Sequence, residues 1–228
     1  MDVVQAIKER KSIRAFKVDQ VPQDVLKTIL EQAMRAPSWA NTQPWEFAVV
    51  TGAKLKAIQD ACVARGAAAV QTSQSEVARP YEFPEPYASR IKQMQTKERR
   101  GRTTEMNPEE MEARMVTNFR HYGATTCIYL LIGKNYFQQE KGINVWGLYD
   151  SGSVAQNIML LAVNNGLGTI AQAMAVVFPD IIHKELGIPE DKLIALGIAI
   201  GYPDWDNEKN KDFRDREPLD TMATFYGF

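Results

Sequence analysis

The chain has 228 residues, 45 % of them hydrophobic and 24 % charged, with a formal net charge of −1. That length and apolar content suit a globular chain with a sizeable core. The near-neutral balance removes the general attraction for nucleic acid or anionic lipid that a basic chain would carry. No apolar run approaches the ~20 residues that span a bilayer, and the start Met1-Asp2-Val3-Val4 lacks the features of a signal peptide. A cytoplasmic protein with no membrane or nucleic-acid partner is the expectation. Cys62 and Cys127 stand in helical and strand patterns, without the Cys/His spacing of a metal site.

In chain order, Val3, Val4 and Ile7 predict a short opening helix ending near Arg10. Pro22 suits the first turn of the next helix. Its apolar positions Val25, Leu26, Ile29, Leu30, Ala33 and Met34 follow the 3.6-residue period, and Pro37 ends it. Phe47 to Val50 reads as a strand, and Gly52 turns into a helix through Leu55, Ile58 and Cys62. Residues 66–115 differ. A polar stretch is followed by Tyr81, Phe83, Tyr87 and three prolines, then a charged helical pattern from Ser89 to Arg100. Few positions here could build a core, so an excursion that forms a lid is expected. The basic run Lys97 to Arg102 reads as a solvated helix end.

From Met111 the core pattern returns. Thr125 to Ile132 predicts a buried strand, and Asp150 to Val163 a long helix with Asp150 as its cap and Asn165-Gly166 as its stop. Thr169 to Ala173 predicts a short strand, Ile181 to Leu186 a helix, and Leu193 to Ile200 a further strand. Alternating helices and strands after a helical start give an α+β class.

Three segments carry chemistry. Arg10, Lys11, Ser12 and Arg14 offer cations and a hydroxyl within five positions. Arg grips phosphate in bidentate fashion, although cations also suit a solvated helix C-terminus. Arg214 and Arg216 form a second cationic pair. The segment Pro37-Ser38-Trp39-Ala40-Asn41-Thr42-Gln43-Pro44-Trp45 is dense in amide, hydroxyl and indole groups. The Asn and Gln amides can both donate and accept, which suits the edge of a heterocycle; an Asx-capped turn would use the same residues. Gly166-Leu167-Gly168-Thr169-Ile170-Ala171-Gln172 allows backbone close to a planar ligand, or is an ordinary helix-to-strand turn. Phosphate donors followed by an amide-rich loop suggest a nucleotide with a hydrogen-bonding heterocycle, and flavin mononucleotide (FMN) fits. His121 is a lone histidine of the kind that is usually structural. The chain shows no order or spacing for a hydrolytic triad or paired carboxylates.

Taken together, Arg10 to Phe16, Pro37 to Trp45, Gly166 to Thr169, Gly201-Tyr202-Pro203-Asp204 and Arg214 to Leu219 resemble the motifs of the FMN-dependent nitroreductase family, in order and over nearly all 228 residues. The resemblance implies a sandwich with a central, mainly antiparallel sheet flanked by helices, a lid, and a C-terminal extension exchanged in a homodimer. It implies an FMN site made by Arg10, Lys11, Ser12, Arg14, Pro37, Ser38, Trp39, Asn41, Gln43, Gly168, Thr169, Ala171, Gln172, Arg214 and Arg216, partly across the dimer interface. Thr169, Ala171 and Gln172 would stand beside the flavin ring. Many relatives have Pro where this chain has Thr125.

The implied activity is an NAD(P)H-dependent oxidoreductase. NADH or NADPH and a nitroaromatic or related electron-poor acceptor would use one flavin face in turn, giving ping-pong kinetics without a protein nucleophile. Tyr81, Phe83 and Tyr87 are candidates to stack on the aromatic substrate. Relatives that dehalogenate halotyrosines or oxidise biosynthetic intermediates are alternatives, as is a flavin-binding or sensing protein without turnover.

Overall fold

Four strands form one antiparallel sheet in the order β1-β2-β4-β3: β1 Trp45–Thr51, β2 Thr126–Gly133, β3 Gly168–Gln172 and β4 Lys192–Gly201. The computed structural model describes residues 1–78, 82–98, 107–136, 144–211 and 214–228, with backbone only for 95–98. The helices are α1 Val3–Glu9, α2 Gln23–Ala33, α3 Gly52–Arg65, α4 Tyr87–Glu98, α5 Pro108–Phe119, α6 Trp146–Asn164, α7 Pro179–Leu186 and a short α8 Leu219–Met222.

The sheet is explained by a period of two. On β2, Cys127, Tyr129 and Leu131 point to one face and join Leu55, Ile58 and Cys62 of α3, Phe119 of α5 and Ile181 and Ile182 of α7. Ile128 and Leu130 point to the other face and join Leu26 and Ile29 of α2 and Val154, Ile158 and Ala162 of α6. A strand covered on both faces needs apolar residues throughout, which is why β2 reads as an unbroken apolar run. One register shift between Leu130 and Leu131 interrupts its pairing with β4.

A third, smaller cluster positions the site. Ile13 and Phe16 pack with Ala124, Ile170 and Ala199 along the β3 side of the sheet. Ser12 bridges Thr169, and the Ile13 amide donates to the Thr169 carbonyl at 3.0 Å. The buried side chains of this segment hold it to the sheet, so its polar partners Arg10, Ser12 and Arg14 remain only half-covered. Gly168 makes this contact possible: a Cβ there would lie 2.4 Å from Ile13 Cγ1 and 2.7 Å from Pro203 Cγ.

Several elements differ from expectation. α6 begins a turn before Asp150, because the Trp146 amide is capped by the Asn144 side chain at 3.1 Å. Asp150 therefore lies inside the helix and has another role. α5 starts at Pro108 with a capping box, Asn107 paired to Glu110, ahead of the Met111 at which the core pattern seemed to resume in sequence. Within 66–115, Ala69, Val70 and Met115 pack against the first core cluster, and Glu76 is bonded to the Ile194 amide at 2.7 Å. Both ends of this stretch thus join the core, while Phe83 and Tyr87 stay exposed. Tyr81, the residues 99–102 of the basic run and Phe213 lie outside the described residues. No described helix is long and apolar enough to cross a membrane.

Candidate functional site

The sequence-predicted residues fall into two groups, each built on a different element. The first lies on the β3 side of the sheet. Arg10 ends α1 half-buried, and its guanidinium is held below the usual arginine range by loss of hydration and by the positive charge of Arg216. Two cations from opposite ends of the chain thus feel one another's charge, Arg10 half-buried and Arg216 exposed. Like charges near one another are unfavourable unless an anion joins them. Arg216 is kept in this bend by donating Nη1 to the carbonyls of Arg214 and Asp215, at 2.9 and 3.0 Å.

Next to these cations, β3 buries polar atoms that no described residue satisfies. Thr169 is 1 % exposed, and its hydroxyl has no hydrogen-bond partner. Gln172 is 5 % exposed; its Nε2 reaches the Asn118 carbonyl at 3.4 Å, and its Oε1 is unpartnered. Buried polar atoms are nearly always satisfied, so orphans mark a strained or ligand-binding place. Ala171, between them, is exposed and offers backbone on an open face. A phosphate between Arg10 and Arg216 and a heterocycle along β3 fit this donor set. FMN carries both.

Lys11 and Arg14 turn out to serve the scaffold as well. Lys11 Nζ donates to the Asn210 carbonyl and lies 5.1 Å over the Trp205 ring. The Arg14 amide donates to Asn210 Oδ1 at 2.7 Å, while Asn210 Nδ2 donates to the Ala15 and Asp204 carbonyls. Asn210 is 1 % exposed and pins the cationic segment to the Tyr202–Asp204 turn. Nothing in sequence singled it out: one Asn in a polar loop carries no periodic signal.

The second group is the amide-rich loop. Trp39–Asn41 form a single 3₁₀ turn. Ala40, Asn41 and Gln43 have φ of +47°, +57° and +46°, a left-handed region that costs non-glycine residues energy. The loop is held there from inside and outside. Ser38 Oγ accepts the Gln43 amide at 3.0 Å, and Gln43 Nε2 donates to the Asn41 carbonyl at 3.2 Å. Asp150, 3 % exposed within α6, accepts the Trp39 amide at 3.1 Å. Asp150 is therefore an anchor for the loop and not the cap of α6. Thr42 Oγ1 meets the Tyr136 hydroxyl at 3.0 Å. Pro37, Asn41 and Gln43 remain exposed. Trp39 packs edge-on against Trp146 of α6, with centroids 4.8 Å apart.

His121 is 2 % exposed, and burial pushes its imidazole down to about 4, which favours the neutral ring near neutral pH. Gln59 Nε2 lies 3.1 Å from its Nδ1.

A four-stranded antiparallel sheet with helices on both faces defines an α+β protein. The chain matches the model of the nitroreductase family over residues 7–202 and belongs to that family. It is similar to the 4-nitrobenzoate reductase of Nocardioides sp. (strain LMS-CY), 29 % identical over 232 residues that cover 96 % of this chain and 87 % of that protein. Among solved structures, the FMN- and NADPH-dependent nitroreductase NfnB from Sphigopyxis sp. strain HMH superposes with a TM-score of 0.90 at 29 % identity, covering 100 % of both chains. The FMN-dependent nitroreductase NfnB from Mycobacterium smegmatis, solved with NADPH, gives a TM-score of 0.88 at 26 % identity, covering 99 % of this chain and 100 % of that one.

Proposed function

We propose that this chain is an FMN-dependent oxidoreductase that uses NADH or NADPH to reduce nitroaromatic or related electron-poor acceptors. The observation that carries the reading is the meeting of Arg10 and Arg216 beside β3, where Thr169 and Gln172 bury unsatisfied polar atoms. Bound FMN supplies the redox chemistry, hydride acceptance from NAD(P)H and electron delivery to the acceptor. The protein contributes binding and electrostatics. Arg10 and Arg216 hold the phosphate, with Ser12 and Arg14 beside them. Gly168, Thr169, Ala171 and Gln172 line the ring, with the Thr169 hydroxyl and Gln172 Oε1 available to bond to its polar atoms. A bond that is stronger in the reduced form raises the reduction potential, ~1 kcal/mol corresponding to roughly 20 mV. A need for NAD(P)H suits the cytoplasm.

The loop of Pro37, Ser38, Trp39, Asn41 and Gln43 completes the site from a second copy of the chain. Two observations support a homodimer. The loop is rooted on α6 with exposed amides, apart from the cationic group on β3. Large apolar side chains are exposed on α1 (Val3, Val4, Ile7), on α6 (Trp146, Tyr149) and on the C-terminal segment (Leu219, Met222, Phe225, Tyr226, Phe228). Such a surface is more favourably buried against a partner than left in water. Phe83 and Tyr87, both exposed, form the cover over the acceptor.

The test is direct. Purified protein releases one FMN per chain on acid treatment, NADH or NADPH bleaches it anaerobically, and 4-nitrobenzoate restores the colour. Flavin that binds but resists NAD(P)H would mean a binding or sensing protein; a colourless protein that ignores FMN would overturn the reading. Light scattering reports a dimer, and an active FMN-bound monomer would overturn that part.

A further inference from the structure

The C-terminal segment touches both the cationic pair and the candidate cover. The positive charge of Arg216 is felt at Arg10. The next residue, Glu217, pairs through Oε1 with Nε of Arg90 on α4 at 3.3 Å. Arg90 also donates Nη2 to Met222 Sδ at 3.5 Å, and its guanidinium stands 5.7 Å over the ring of Tyr87. One side chain therefore gathers an acid and a thioether from the C-terminal segment and an aromatic ring from the first turn of α4. Along α4, Tyr87, Ser89, Gln93 and Met94 are exposed.

We propose that Arg90 is a positioning residue, through which an anion held by Arg10 and Arg216 fixes α4 and sets the pose of Tyr87. The physical steps are short. An anion between Arg10 and Arg216 cancels their repulsion and immobilises the backbone at Arg216. Glu217 is one peptide bond away and is immobilised with it. A fixed Glu217 holds the Arg90 guanidinium in place, where its planar fork meets the carboxylate and its face lies over Tyr87. Arg90 makes no contact with the reacting groups. Its effect falls on the acceptor, which meets Tyr87, and not on the cofactor. The inference rests on the reading that the cationic pair takes the phosphate of FMN. It adds that the phosphate organises the acceptor side as well as anchoring the flavin.

The experiment compares FMN with riboflavin, which has the same ring and no phosphate, in wild-type protein and in Arg90→Ala, Arg90→Lys and Glu217→Gln. Hydrogen exchange over residues 87–94 is measured with each flavin at saturation, and kinetics are measured on the FMN-loaded forms. FMN slows exchange of this helix in the wild-type protein, and riboflavin does so clearly less. Arg90→Ala and Glu217→Gln lose the difference between the flavins. Arg90→Ala raises the acceptor KM roughly two- to five-fold, the size a half-exposed ion pair with a cation–π contact can transmit. Its kcat and FMN affinity stay within about twofold, and Arg90→Lys recovers only part of the KM, because ammonium cannot serve all three partners. Equal protection by the two flavins, or full FMN protection in both Arg90→Ala and Glu217→Gln, overturns the proposal. Loss of FMN from Arg90→Ala also overturns it, since Arg90 would then belong to the cofactor site. Failure of the wild-type protein to bind FMN is a different result, and sinks the functional reading itself.

Discussion

Replacing Arg10 by Met should separate two effects that run in opposite directions. The change keeps an unbranched stem of similar length and removes the charge. In the flavin-free protein Arg10 is half-buried and repelled by Arg216, two conditions that disfavour its cation. Removing it should leave stability unchanged or raise it by up to about 1 kcal/mol, the scale of a partly exposed charge pair. With FMN the same change removes a charged hydrogen bond of ~1.5–3 kcal/mol, so Kd should weaken roughly 10- to 150-fold. The two are read together by thermal or urea unfolding with and without flavin. At FMN about 100 times the wild-type Kd, binding stabilises the fold by ~2.7 kcal/mol; a thirtyfold loss of affinity cuts this to ~0.9 kcal/mol at the same concentration. The variant should therefore be as stable as wild type without FMN and clearly less stabilised by it. Riboflavin supplies the control, since a residue that grips only phosphate leaves riboflavin affinity unchanged. Unchanged FMN affinity would refute the reasoning, as would an equal loss of FMN and riboflavin.

Asp150→Ala removes the buried acceptor of the Trp39 amide and should cost ~1.5–3 kcal/mol in urea unfolding; if the loop also lines the flavin, FMN affinity falls with it, and an unchanged urea midpoint would show that the bond does not hold the loop. Gly168→Ala places a methyl 2.4 Å from Ile13, so it should destabilise by ~1–3 kcal/mol and free the Ser12–Thr169 bridge, seen as faster amide exchange at Ile13; unaltered exchange would argue against the packing described. His121 gives an acid dependence. Its folded value of about 4 lies below the ordinary imidazole value of 6.5, so the unfolded chain binds the proton first. The contribution of this group is complete above about pH 6.5 and falls as pH drops toward about 4, by up to ~3 kcal/mol. His121→Gln should flatten the stability difference between about pH 4.5 and about pH 7; a variant that loses as much as wild type over that range would remove His121 as the cause.

The fold was largely legible because its elements obey simple periods. β2 is apolar from Cys127 to Ile132, all buried, and α2 carries apolar residues on one face with Ile29 and Ala33 fully enclosed. The expected and observed strands differ by one or two residues at their ends, with pairing extending past the apolar pattern at both ends of β1 and β4. The larger misses have local causes. α6 starts early because Asn144 caps it, a side-chain bond that hydrophobic periodicity does not register. α5 starts at Pro108 on a capping box whose motif, Asn-Pro-Glu-Glu, precedes the core-facing residues Met115 and Phe119 by two turns.

The site was legible as motifs and opaque as geometry. Arg10 and Arg216 stood out as cations, but sequence could not tell which C-terminal arginine approaches Arg10; the bend set by the Arg214 and Asp215 carbonyls brings Arg216 there. Asn210 and Asp150 were missed in these roles because each acts through side-chain bonds to specific backbone groups, and such contacts leave no pattern along the chain. Their partners share a feature. Asn210 holds the half-buried cationic segment, and Asp150 holds a loop with three non-glycine residues at positive φ. Both are buried polar side chains bonded to backbone that would otherwise relax. Two segments held in unfavourable states by buried polar anchors, one electrostatic and one conformational, are what a binding site requires before its ligand arrives: the energy stored in positioning is set by folding, and the ligand meets groups already in place. That is why Asp150→Ala and Arg10→Met should weaken flavin binding by different routes. The first loosens a surface that must be ordered again, and shows as a loss of stability without flavin. The second removes a contact from a surface that stays ordered, and shows only when FMN is present.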